Sequence, residues 1–166
     1  MTTDVLKRMA LFVVLCLAQV LVFSRIHLFG CATVLLYIYF VITFRYNLPR
    51  WVSLLCSFLL GLTVDIFSNT PGLAAASLTL TGFLQPYLLM LFIPREAPEN
   101  MKTSVATLGF MKFLTLAAIL VFVHCLAFFT IEAFGFFNWQ QWLLSIVGST
   151  ILTLVVLMAL ETIRSK

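Results

Sequence analysis

A chain of 166 residues with 63% hydrophobic and only 10% charged side chains, at a mean hydropathy of +1.13, cannot build an ordinary water-facing surface. Soluble domains carry about a quarter charged residues, so the solvent that suits this composition is lipid. The net charge of +4 comes without an aromatic and basic surface between the apolar segments, which argues against nucleic-acid binding, and the longest polar stretch, residues 94–102, is too short for a soluble domain.

Bilayer-length reading predicts an all-α integral membrane protein, one multi-span domain over residues 1–166. Its six helices are expected near 9–24, 28–44, 51–67, 73–93, 112–131 and 142–160. The first is short enough to resemble the apolar core of a signal peptide, but no small-residue cleavage site follows it, so it is read as a permanent helix. Ser24-Arg-Ile-His27 breaks the first pair, and the run from Arg45 to Arg50 breaks the second. Ser68-Asn-Thr-Pro-Gly72 separates the third and fourth so tightly that an antiparallel hairpin is expected. In it Asn69 or Thr70 can cap, Pro71 suits the first helical position and Gly72 relaxes the turn. Residues 103–111 read as a shallow lead-in to the fifth span.

Lys7, Arg8, Arg45, Arg50, Arg95, Lys102, Lys112, Arg164 and Lys166 all fall on one side of this six-span arrangement, and Arg25 alone falls on the other. The positive-inside rule then places both termini in the cytoplasm.

One acidic residue, Asp65, stands between Asp4 and Glu96. The topology puts it about one turn before the outer end of the third helix, where it is a solvated helix end, or pairs with Arg25 and His27, or with them offers charge to a partner protein. Those two, with Glu132, are the other ionisable groups expected on that side. Ser53, Ser57, Gly61 and Asp65 recur every four residues along one helix face. Ala75, Thr79 and Gly82 answer on the fourth helix, and Ser145, Ser149 and Thr153 on the sixth. Small residues at this spacing bring helices close in lipid, either inside the bundle or against a partner's helix.

Catalytic patterns are weak. His124 and Glu132 lie on one helix but are not directly aligned, and Gly148-Ser149 lacks the Gly-x-Ser-x-Gly context. Cys16, Cys31, Cys56 and Cys125 have irregular spacing that suggests neither a metal site nor disulfides, and no phosphate-binding loop occurs. No cofactor, metal or catalytic residue is expected. Gln19, Gln85, Thr115 and His124 are the other polar groups within spans, with Gln19 and Gln85 expected to bond across helices. Trp51, Trp139 and Trp142 fit interfacial anchors.

The stretch Phe58-Leu-Leu-Gly61-Leu-Thr-Val-Asp65-Ile-Phe-Ser-Asn-Thr-Pro-Gly72, followed by an Ala-rich helix, resembles the core segment of the bacterial rod shape-determining protein MreD family. Gly61, Asp65, Pro71 and Gly72 are the matching positions, and Leu73 continues the pattern. The specific part is confined to residues 58–86; elsewhere the likeness is one of length and span pattern. The resemblance implies a non-enzymatic scaffold in the bacterial inner membrane, involved in cell shape and peptidoglycan synthesis. Its implied partners are an MreC-like protein and, through it, MreB, RodA and a class B penicillin-binding protein. MreD-like proteins are also distantly similar to substrate-binding membrane subunits of vitamin transporters, which supplies the rival expectation of a bundle with a ligand pocket.

Overall fold

The computed structural model describes residues 2–21, 33–44, 48–93, 103–133 and 139–165, and among them all regular structure is helical. In chain order the elements are α1 (Thr2–Leu21), α2 (Ile38–Ile42), α3 (Arg50–Ser68), α4 (Leu73–Phe92), α5 (Val105–Leu108), α6 (Phe110–Glu132) and α7 (Trp139–Ser165). Four of them, α3, α4, α6 and α7, are long and apolar enough to cross a membrane. At 1.5 Å per residue, the 19 residues of α3 and 20 of α4 each span about 30 Å, close to the thickness of a hydrocarbon core. The 27 residues of α7 exceed it.

Helices α3 and α4 form the hairpin expected from the Asn-Thr-Pro-Gly link; α4 packs on α6, and α6 on α7. Side chains on the outward faces are large and apolar, among them Phe58, Ile66, Leu91, Phe122, Leu144 and Val155. Many polar groups within the helices point inward. Ser57, Ser77, Thr81, His124, Ser149 and Thr153 are all fully buried, the reverse of a water-soluble protein and the arrangement lipid requires.

The largest departure from the sequence expectation lies in the second predicted span. Residues 28–32 fall outside the described residues, and 33–44 do not form one continuous helix: residues 33–37 are irregular and only Ile38–Ile42 is helical. Nearly every side chain from Val34 to Phe44 is buried, so this stretch runs through the middle of the molecule rather than along a lipid face. Irregular backbone can exist at that depth only where protein groups satisfy it, and here side chains from two other helices replace the missing helical bonds. Gln19 of α1 donates its amide to the Val34 carbonyl at 2.8 Å and accepts the Leu36 N–H at 2.9 Å. From α7, the Ser149 hydroxyl accepts the Thr33 N–H at 3.0 Å and Thr153 accepts the Leu35 N–H at 3.2 Å. A mean-apolar window cannot distinguish such a buried strap from a spanning helix.

Gln19 is therefore a structural staple. Gln19→Leu removes both bonds and strands one buried N–H and one buried C=O, so we expect a loss of about 2–3 kcal/mol. Reversible unfolding in mixed micelles measures it. An unchanged midpoint would mean that the strap holds without this side chain.

Other boundaries shift modestly. Helix α1 begins at Thr2, well before residue 9, and α7 extends past both predicted ends. The lead-in at 103–111 resolves into the single turn α5, which Gly109 at φ +85° separates from α6.

Candidate functional site

The α3–α4 hairpin gathers most residues singled out from the sequence, and its organising group is Asp65. This side chain is only 2% exposed. Its Oδ1 accepts the Ala74 N–H at 2.8 Å and the Thr70 hydroxyl at 3.0 Å; its Oδ2 accepts the Ala75 N–H at 2.8 Å. Ala74 and Ala75 are the second and third residues of α4, whose first-turn N–H groups have no partner within the helix. A carboxylate there satisfies two of them and sits at the positive end of the helix dipole. The main chain of the same residue closes the preceding helix: the Asp65 carbonyl accepts the N–H groups of Asn69 and, at 3.1 Å, Thr70. Asp65 thus ends α3 with its backbone and starts α4 with its side chain.

This corrects two expectations. Asp65 is not a solvated helix end; backbone amides, rather than water, offset the cost of burying it. The turn residues also change roles. Asn69, at φ +56°, is the left-handed cap of α3, and Gly72, at φ +87°, is the residue before α4, so Pro71 lies in the turn rather than at the first helical position. Asn69 and Thr70 need not cap α4 with their side chains because the carboxylate one turn earlier already does so. Arg25 and His27, considered as partners of Asp65, lie outside the described residues.

Below Asp65 the small residues let the two backbones touch. A Cβ at Gly61 would lie 2.5 Å from the Ala75 Cα and 2.6 Å from the Ala74 carbonyl oxygen. One at Gly82 would collide with the Ser57 hydroxyl. Ser57 turns that hydroxyl back onto the Ser53 carbonyl at 2.8 Å. The Ser53–Ser57–Gly61–Asp65 face of α3 is thus filled by α4. At the hairpin tip Ile66, Phe67, Asn69 and Pro71 are exposed.

Two further polar clusters hold the interior. His124 of α6 lies between Tyr37 and Thr81, its Nε2 3.1 Å from the Tyr37 hydroxyl and its Nδ1 3.3 Å from the Thr81 hydroxyl. The Tyr37 ring stands edge-on to the imidazole at 5.3 Å. All three groups are fully buried and turned toward one another, which suits a structural tie between the central strap, α4 and α6. Glu132 lies exposed at the end of α6, two turns from His124.

The second cluster escaped sequence reasoning. Glu161 of α7 is 2% exposed; it accepts the Tyr39 hydroxyl through Oε2 and the Val105 N–H at 3.1 Å through Oε1. Beside it the Thr103 hydroxyl donates to the Phe44 carbonyl at 2.7 Å. One carboxylate therefore ties α7 to both α2 and α5. The signal was present: Ser145, Ser149 and Thr153 continue at the same four-residue step through Leu157 to Glu161, and all five are buried.

Cys16, Cys56 and Cys125 are not joined in disulfides, and among the described residues no group of His, Cys, Asp and Glu side chains is arranged to hold a metal ion. Comparison of the chain with protein-family models, with curated proteins and with solved structures finds no match.

Proposed function

We propose that this chain is a non-enzymatic scaffold of the bacterial cytoplasmic membrane, acting in the elongation machinery that shapes the cell and builds peptidoglycan, with both termini in the cytoplasm. The single observation that carries this reading is the 58–72 segment, which resembles the MreD core at Gly61, Asp65, Pro71 and Gly72. The geometry gives those residue types a reason to occur together. Gly61 admits the α4 backbone, Asp65 caps it, and Pro71 with Gly72 turns the chain between the two helices. A rigid hairpin whose tip is exposed suits a protein that acts by contact through helices and short loops. The proposed partner is an MreC-like protein, linked to MreB, RodA and a class B penicillin-binding protein.

The rival reading, a vitamin-binding transporter subunit, calls for a cavity of about 300–1,000 Å³ with converging polar groups. The buried polar groups near His124 bond one another instead of facing an open volume. That favours the scaffold.

Affinity purification of the tagged chain from native membranes tests the proposal. The expected outcome is co-purification of an MreC-like protein, reduced when Phe67 at the hairpin tip is replaced by aspartate. Recovery of an ATPase pair with a bound small molecule would overturn it.

A further inference from the structure

The two ends of the α3–α4 hairpin are held very differently. Toward the turn, Asp65 takes three hydrogen bonds from Thr70, Ala74 and Ala75, and Gly61 and Gly82 let the helices touch. Past the contact of Gly82 with Ser57 the pair loosens. A cavity of about 50 Å³ opens there, with Leu48, Leu54, Phe83 and Pro86 in its largely apolar lining. The Ser53 hydroxyl and the Gln85 amide nitrogen are buried at the same level, shut off from solvent, and neither has a hydrogen-bond partner among the described residues. Gln85, expected to bond across helices, thus leaves its Nε2 without such a bond. Pro86 adds a defect in α4 itself, because it has no N–H to give the Gly82 carbonyl one turn back, and helices bend at such positions.

Each of these features raises the free energy of the closed pair. Buried donors without partners are costly, and the lining of an unfilled apolar cavity forfeits contacts. Parting the helices at this end relieves both, because Ser53 and Gln85 then gain access to new partners. What bridges the end is one exposed contact: the Arg50 guanidinium lies over the Tyr87 ring, 5.2 Å from its centre. No side chain caps the start of α3 beside it. An exposed cation–π pair favours the closed arrangement by a factor of only about two to five. Closed and open arrangements of this end therefore lie close in free energy, while the turn end stays fixed by Asp65.

We infer that the α3–α4 hairpin is a hinged clamp: rigid from its turn to the Ser57–Gly82 contact, it opens and closes at the Arg50 end, with Arg50 on Tyr87 as the latch. This motion does not depend on what the chain binds. Electron–electron double resonance on the full-length chain in lipid nanodiscs, its native cysteines replaced by alanine, measures it with two spin-label pairs. One pair replaces exposed Trp51 and Met90 at the latch end; the other replaces exposed Ile66 and Ala76 at the turn. Two distances are expected at the latch end and one narrow distance at the turn. Arg50→Gln is expected to raise the ratio of open to closed molecules about two- to fivefold, the value of the lost contact. Gln85→Leu acts in the opposite direction, because it removes an unpaired buried donor at similar size and so favours the closed form. Arg50 is exposed, so its variant stays informative if Gln85→Leu fails to fold. A single narrow distance at the latch end in both the parent and Arg50→Gln would overturn the inference, as would equal spread at the two ends or a rise in the open fraction with Gln85→Leu.

Discussion

Asp65→Ala is expected to destabilise the folded chain by about 3 kcal/mol, while Asp65→Asn costs about 1 kcal/mol. The alanine variant strands the Ala74 and Ala75 N–H groups in a dry interface and removes the anion at the start of α4. Asparagine keeps one acceptor oxygen for those amides but gives up the charge that complements the helix end, which accounts for its smaller effect. Loss of the cap acts on the hairpin first, since the same residue joins both helices. Reversible unfolding in mixed micelles, followed by tryptophan fluorescence, measures both values. A loss below about 0.5 kcal/mol for Asp65→Ala would place it among ordinary surface substitutions and reduce the carboxylate to a bystander. Had the residue been a solvated helix end, the two variants would behave alike. The ordering of the pair therefore separates the observed cap from the reading that charge and topology alone suggested.

Hydropathy and breaks were sufficient to locate α3, α4, α6 and α7, because each is a long apolar run bounded by polar or turn residues, and helix length in lipid leaves few alternatives. The hairpin was legible for the same reason. The strap at 33–44 was not. A stretch such as Val34-Leu-Leu-Tyr-Ile-Tyr-Phe-Val-Ile42 is apolar on every side, and that pattern fits both a spanning helix and a backbone threaded through the core. What decides between them is whether remote side chains can take over the backbone's hydrogen bonds. Gln19, Ser149 and Thr153 do so from sequence separations of 15 to 118 residues, which no local reading captures. Glu161 differs again. Its four-residue register with Ser145, Ser149 and Thr153 was readable, but it lies one residue past the expected end of the sixth helix at 160. Its counterpart Asp65 closes the equivalent series on α3, so two small-residue faces each end in a buried carboxylate that holds another element's N–H groups.

Gly61→Val is expected to cost about 3 kcal/mol, whereas Gly72→Ala, at the turn of the same hairpin, costs about 1–2 kcal/mol. The contrast follows from what each missing side chain would meet. At Gly61 the first added carbon falls 2.5 Å from the Ala75 Cα and 2.7 Å from the Ala75 nitrogen. These are backbone atoms, so relief requires α3 and α4 to separate. At Gly72 nothing lies within 4 Å, and the cost is confined to holding a side chain at φ +87°. The Ala75 nitrogen that a Gly61 side chain would displace is the one bonded to Asp65 Oδ2. The close approach and the cap are consequently one structure, and their energies should not add. In a double-mutant cycle, Gly61→Val combined with Asp65→Ala is expected to cost less than the sum of the single changes by about 1 kcal/mol or more. Additive losses would show that helix contact and helix capping are independent, and the hairpin would then be two local features rather than one unit.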